Sequence, residues 1–222
     1  MIMRLDDGHL VYPNVLVVAF DISSSSVMLD DLILGGKQKQ FNKLLKDMNE
    51  WLGACGDEYG FATYKFTGDG WILLFNNPDE QLAGDGLLRC LIALCEHYRL
   101  TRRKRIDGRL QTVIKNKGLT FGIDVGEIRK VSLGQTEFVG RPLILANRLQ
   151  AVARGDEDGS PEYVALTSQA VYYEYLKHTD GIEVERVTHR LHNVMGDARY
   201  RCRRIDLTPH MKDPSATGSA QA

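Results

Sequence analysis

The run Val15-Leu-Val-Val-Ala-Phe-Asp-Ile22 constrains this chain more than any other stretch. It is short, continuous, rich in β-branched residues and apolar except at one position, which predicts a strand buried in the middle of a sheet. The exception, Asp21, closes the strand.

Around it the chain alternates between helical and extended patterns. Four serines, Ser23 to Ser26, interrupt the run, and Phe41, Leu44, Leu45, Met48 and Leu52 then recur at helical spacing within Leu32–Leu52. The pair Gly35-Gly36 places the regular start of that helix near Lys37. Phe61–Phe66 and Trp71–Phe75 read as strands joined by Thr67-Gly68-Asp69-Gly70, a hairpin signal. A helix follows over Asp79–Tyr98, with Leu87, Leu88, Leu91, Leu94 and Cys95 as its apolar stripe. Leu119–Val125 and Ile128–Leu133 predict a second strand pair turning at Gly126-Glu127. Helices are expected over Pro142–Val152 and Ser168–Leu176, and strands over Val164–Leu166, Glu183–His192 and Arg199–Ile205. A surface loop is expected over Gly155–Glu162. The small polar stretch Thr208–Ala222 predicts a disordered tail after a single domain over residues 1–207. The order strand, helix, strand, strand, helix, strand predicts an α+β domain of the ferredoxin-like split βαβ kind, with a β-rich C-terminal extension.

Composition removes several classes of function. With 28 Lys plus Arg against 29 Asp plus Glu the formal charge is −1, without the basic excess of a nucleic-acid binder. The stretch Arg102-Arg103-Lys104-Arg105 follows a helix C-terminus, where cations are favourable, and no aromatic residue interleaves it. It reads as a solvated face, so no nucleic-acid partner is expected. No apolar run approaches the roughly 18 residues a membrane helix needs. The start, Met1 to Asn14, lacks the apolar stretch of a signal peptide, so no membrane and a cytoplasmic address are expected. Cys55, Cys90, Cys95 and Cys202 are scattered, and three or all of them read as buried or incidental thiols. A strand through His189 and His192 would aim them at opposite faces, which is poor zinc geometry.

The same topology brings two carboxylates together. In a split βαβ sheet the first strand lies antiparallel beside the third, so the end carrying Asp21 abuts the turn carrying Asp69. Two carboxylates so placed repel unless a cation sits between them, and Mg²⁺ or Mn²⁺ suits a site that also receives phosphate oxygens. Ser23, Ser24, Ser25 and Ser26 would offer hydroxyl and backbone N–H groups to those phosphates.

In combination, order and spacing, FDISSSS (Phe20–Ser26), YKFTGDGWILLF (Tyr64–Phe75), TFGIDVGE (Thr120–Glu127) and FVGRPLILANRLQ (Phe138–Gln150) resemble the class III adenylate/guanylate cyclases. The resemblance spans about Val15 to Ile205. It implies conversion of a nucleoside triphosphate to a 3′,5′-cyclic monophosphate, with two Mg²⁺ or Mn²⁺ ions per active site and active sites shared across a homodimer. Asp21 and Asp69 match the family's metal aspartates, and Ile22 would add a backbone carbonyl to one ion. Lys65 and Glu137 match the base-reading positions, Phe138 lies beside the base, and Arg148 matches the arginine that stabilises the transition state. Two positions depart from the pattern. Ile144 stands where an asparagine orients the ribose, and Met195 stands where many relatives have a phosphate-binding lysine, for which Arg199 or Arg201 could substitute. The absence of a receptor or sensor segment is similar to the stand-alone Pycsar cyclases, which implies a cyclic pyrimidine nucleotide, such as cUMP, as an antiphage second messenger.

The base itself stays open at this level. Lys65 donates and Glu137 accepts, which adenine, cytosine and uracil can each satisfy. A bulky Phe138 beside the base would favour a pyrimidine, although the ring can equally pack in the core. The expected order is UTP, CTP, ATP. Rival readings are an inactive cyclase-like nucleotide-binding module, suggested by Ile144, and a diguanylate cyclase, opposed by the lack of a GG[DE]EF turn. A third is a nucleic-acid binder built on Arg102 to Arg109.

Overall fold

The computed structural model describes residues 10–76, 78–82, 85–153, 161–194 and 198–211. Strand β1 (Val11–Ile22) contains the apolar run and continues past it at the N-terminal end, with a register shift between Tyr12 and Val15. Pro13 falls in that irregularity, where its missing N–H is tolerated. Helices α1 (Ser25–Leu34) and α2 (Lys39–Tyr59) follow, then β2 (Ala62–Phe66), β3 (Gly70–Asn76), the short α3 (Pro78–Gln81) and α4 (Gly86–Arg105). Next come β4 (Leu119–Ser132), β5 (Thr136–Val139), α5 (Arg141–Ala153), β6 (Tyr163–Thr167) and the single turn α6 (Gln169–Val171). A π-helical turn over Tyr172–Leu176 leads to β7 (Val184–Arg190) and β8 (Arg199–Asp206). The strands form one sheet in the order β2-β3-β1-β4-β6-β8-β7, with β5 paired to β4. β1 is antiparallel to both β3 and β4, as the split βαβ reading requires, and β6 is parallel to β4.

Alternation along β1 explains why its run is apolar on both sides. Leu16, Val18, Phe20 and Ile22 enter the larger core with Met28 and Leu32 of α1, Leu44, Met48 and Leu52 of α2, and Leu91 and Leu94 of α4. Val15, Val17 and Ala19 meet Ile72, Leu74, Phe138, Leu143 and Ala146 on the other face. Each of the Val, Leu, Ile, Phe and Met side chains contributes roughly 1.5–3 kcal/mol by leaving water. By the same parity Asp21 belongs to the second face, the side on which α5 lies.

α5 is seated there by a missing side chain. A Cβ on Gly122 of β4 would fall 1.9 Å from the Ala146 carbonyl oxygen and 2.2 Å from the Gln150 nitrogen, so strand and helix meet backbone to backbone. Gln150 Nε2 also donates to Thr120 Oγ1 at 2.9 Å. Gly122→Ala is therefore expected to cost about 3 kcal/mol of overpacking strain. That lowers the thermal midpoint by roughly 6–12 °C, measurable by circular dichroism.

Several expectations need correction. β4 passes straight through Gly126 and Glu127, because Val15 and Tyr12 of β1 pair with Gly126 and Ile128 and satisfy the backbone there. The turn comes later, at Leu133–Gln135, and leads into β5. The serine stretch is only partly an interruption, since α1 begins at Ser25; Gly35 and Gly36 then separate α1 from α2. Arg102 is not solvated: it is 6% exposed, donates to the Lys117 carbonyl at 2.9 Å and faces Asp107 and Glu162. Arg105 pairs with Asp47 at 2.8 Å. Only Arg103 and Lys104 of that stretch are fully exposed. Cys90, Cys95 and Cys202 are buried and Cys55 half-buried, all as free thiols. Thr208–His210 form a 3-10 turn, while residues 212–222 of the expected tail, Met195, Gly196 and positions 154–160 lie outside the described residues. Among the described residues no helix is long and apolar enough to cross a membrane.

Candidate active site

The end of β1 and the β2–β3 hairpin meet as their sequence positions require. Asp21 pairs in register with Gly70, and the Ile22 N–H donates to the Asp69 carbonyl oxygen at 3.3 Å. Gly70 is where the two strands come closest: a Cβ there would lie 2.2 Å from the Phe20 carbonyl and 3.1 Å from Asp21 Oδ1. Both aspartates are half-buried, and the Ser25 hydroxyl donates to the Asp69 carboxylate.

The serines complete this corner. Ser23 is buried, its N–H bonds to the Gly118 carbonyl at 2.9 Å, and its Oγ has no partner among the described residues. Ser24 sits at the N-cap of α1 with φ of 57°, a left-handed conformation unusual for a residue with a Cβ, and its side chain does not cap the helix. The first-turn N–H groups of α1 therefore face the aspartates' end of the sheet without intrahelical acceptors, an arrangement suited to anionic oxygens. Two carboxylates, backbone carbonyls and hydroxyls form an all-oxygen donor set, the chemistry that suits Mg²⁺ or Mn²⁺. An orphaned hydroxyl beside it fits a group that brings further polar atoms. Among the described residues no cluster of three His, Cys, Asp or Glu forms a closed metal cage. A site with two carboxylates leaves coordination positions for phosphate oxygens.

A second constellation lies between β2 and β5. Lys65 Nζ bonds both carboxylate oxygens of Glu137, at 2.9 and 3.0 Å, and Gln135 Nε2 donates to the same carboxylate at 2.8 Å. The Tyr64 hydroxyl donates to Glu137 as well and accepts from the Phe138 N–H at 2.9 Å. These donors, Tyr64 foremost and then Lys65, pull the Glu137 pKa down to about 2, so it is an ionised acceptor at neutral pH. Tyr64 was not among the residues expected here; its only sequence signal was adjacency to Lys65. Phe138 is 5% exposed and packs edge-on against Tyr12 and Tyr64, with centroids at 5.8 and 5.2 Å. Phe138 thus joins the core cluster that also holds Val15, Val17 and Ile72.

Arg148 is half-buried on α5, and among the described residues its guanidinium bonds neither the aspartates nor the Lys65–Glu137 pair. Ile144 lies one turn earlier on the same helical face and is 57% exposed. The neighbouring Asn147 bonds back through its Nδ2 to the Leu143 carbonyl at 2.7 Å, which leaves its Oδ1 free among the described residues. Tyr200 and Cys202, the strand neighbours of Arg201, pack toward α5, so Arg201 faces the opposite side of the sheet from Asp21.

No family model matches this chain, and no curated protein matches it in sequence. Solved structures do. The adenylyl cyclase CyaB from P. aeruginosa superposes with a TM-score of 0.66 at 18% identity, over 87% of this chain and 93% of that one. A bacterial light-regulated adenylyl cyclase gives 0.64 at 14% identity, over 90% and 93%. The guanylate cyclase domain from Catenaria anguillulae, in complex with GTP, gives 0.57 at 14% identity, over 89% and 98%. This is the class III cyclase fold. Helices α1, α2 and α4 cover one face of the sheet, as a split βαβ domain requires, but α5 packs on the other face, the side to which Asp21 belongs.

One buried acid was missed. Asp124 of β4 is 1% exposed, and its nearest cation, Arg141 at 3.5 Å, is largely in solvent. Burial raises its pKa, against the lowering influence of Ser168, the Val125 N–H and Arg141. The unfolded chain therefore releases this proton at lower pH than the native one. Stability from the protonated form is complete below the ordinary value of 3.8 and is lost as pH rises through the raised native value. Asp124→Asn is expected to raise the thermal midpoint at pH 8 and to leave it nearly unchanged at pH 4. Melting curves across that range check it.

Proposed function

We propose that this chain is a nucleotidyl cyclase that converts a nucleoside triphosphate to a 3′,5′-cyclic monophosphate and pyrophosphate. One observation carries the reading: Asp21 and Asp69 are joined at one corner of a cyclase fold, beside the uncapped start of α1. Asp21, Asp69 and the Ile22 carbonyl would hold two Mg²⁺ or Mn²⁺ ions, whose charge acidifies the ribose 3′-hydroxyl and offsets that of the triphosphate. The 3′-oxygen attacks the α-phosphorus and pyrophosphate leaves. Ser23 and Ser24 present their hydroxyls, and Ser25 in the first turn of α1 its N–H, to the phosphates. Arg148, which among the described residues bonds neither aspartate of its own chain, would serve those of a second copy and stabilise charge developing on the α-phosphoryl oxygens. The working unit is then a homodimer with both sites at the interface, acting in the cytoplasm.

Lys65 and Glu137 read the base. Glu137 is an acceptor flanked by two donors, Lys65 and Gln135, and uracil presents the complementary order, a carbonyl on each side of N3–H. Cytosine and adenine use one donor and the acceptor, and guanine asks for two acceptors. The proposed order is UTP, CTP, ATP, and a cUMP product would suit a second messenger in antiphage defence. The catalytically inactive alternative rests on Ile144, an exposed apolar side chain where the ribose needs a polar partner.

The test is incubation of the purified protein with each of the four triphosphates and Mn²⁺, followed by product identification. Cyclic UMP in excess is expected. Cyclic AMP alone would overturn the base assignment, and no cyclic product from any triphosphate would overturn the activity.

A further inference from the structure

Five arginines share one face of the β7–β8 ribbon. In register, Arg186 lies opposite Arg203, Thr188 opposite Arg201 and Arg190 opposite Arg199. Directly opposed like charges destabilise a strand pair. Yet among the described residues none of Arg186, Arg201 and Arg203 has an acidic partner, in a chain whose formal net charge is −1.

Three of them line a cavity of about 390 Å³ between the ribbon and the α6 turn, walled also by Gln169, Tyr173 and Thr188, with no carboxylate in its lining. Arg203 is its built element. It is 4% exposed, its guanidinium stacks 4.4 Å from the Tyr172 ring centroid, and one Nη donates to the Tyr173 hydroxyl at 3.5 Å. Its Nε has no acceptor among the described residues, nor has the buried hydroxyl of Thr167, which pairs with Arg203 in register on β6. A fixed guanidinium with an unspent N–H stands beside two exposed guanidinium groups that reach the same cavity. Cross-strand and next-but-one positions place their Cα atoms within roughly 5–7 Å of each other.

We propose that this pocket binds a diphosphate group, either free pyrophosphate or the diphosphate of a nucleotide. Two linked tetrahedral anions match three convergent guanidinium forks, since arginine recognises phosphate oxygens in pairs. The cavity is also large enough for more than a bare ion. It faces away from the Asp21 side of the sheet and needs no divalent cation, so it stands apart from the cyclase reading.

Titration calorimetry of the full chain in EDTA, with sodium pyrophosphate and with UDP, tests this. One site per chain is expected, weakened at least about tenfold by Arg186→Glu and by Arg201→Glu, both exposed positions. Arg203→Lys keeps the charge but not the fork and should weaken binding while the melting temperature holds. Arg103→Glu, remote on α4, and Arg148→Ala should stay within about twofold of the parent. UDP binding tighter than pyrophosphate, with the advantage lost in Tyr173→Leu, identifies a nucleotide; equal affinities identify free pyrophosphate. Absence of binding, equal loss in Arg103→Glu, or loss in Arg148→Ala would each overturn the proposal.

Discussion

Asp69→Asn is expected to cut turnover at least about a thousand-fold, roughly 4 kcal/mol of transition-state stabilisation, in a chain that melts no lower than the parent. The asparagine oxygen can still accept from Ser25, and the backbone bond from Ile22 is untouched, so the corner keeps its shape. What disappears is the negative charge that would hold a cation against the triphosphate. Asp21→Asn should behave alike, because its carboxylate is the other half of the pair beside Gly70. Release of pyrophosphate, followed together with thermal unfolding, measures both quantities. Either variant turning over at the parent rate refutes the metal role.

The second large effect is recovery from two dead proteins. Arg148→Ala alone and Asp69→Asn alone should each be inactive, since every site would need the aspartates of one copy and the arginine of the other. Mixed and allowed to exchange, they should regain about a quarter of the parent rate. About half the dimers are then mixed, each with one intact site of two. No recovery, with exchange verified by differently tagged chains, would place Arg148 outside the reaction or both groups within one chain.

How much of this was legible beforehand depends on how local each signal is. β1 could be read because six successive residues, Val15 to Phe20, carry its burial on both faces, and the hairpin because turn residues separate two apolar runs. The approach of Asp21 to Asp69 followed from topology alone. Where the reading failed, the deciding partner lay elsewhere in the chain. Gly126 and Glu127 resemble a turn until β1 supplies their pairing. Arg102 resembles a solvated charge until Asp107, Lys117 and Glu162 close around it. Tyr64 gains its role from Glu137, 73 residues away. Asp124 stands in a motif that was recognised, yet its burial depends on α5 and on β8, which carries Tyr200. The packing of Phe138 against Tyr12 and Tyr64 likewise depends on residues remote in the chain.

The bare glycine that lets α5 rest on β4 has a mechanical corollary. With no side-chain cushion between helix and strand, arginine and aspartates ride on one stiff plate. In the proposed homodimer two such plates would face each other across a twofold axis and rock as a pair. A tilt that withdraws one arginine from its opposite carboxylates withdraws the twin equally. A regulator acting by rotation would then throttle both reactions at once, and a half-active dimer would arise only by breaking the symmetry.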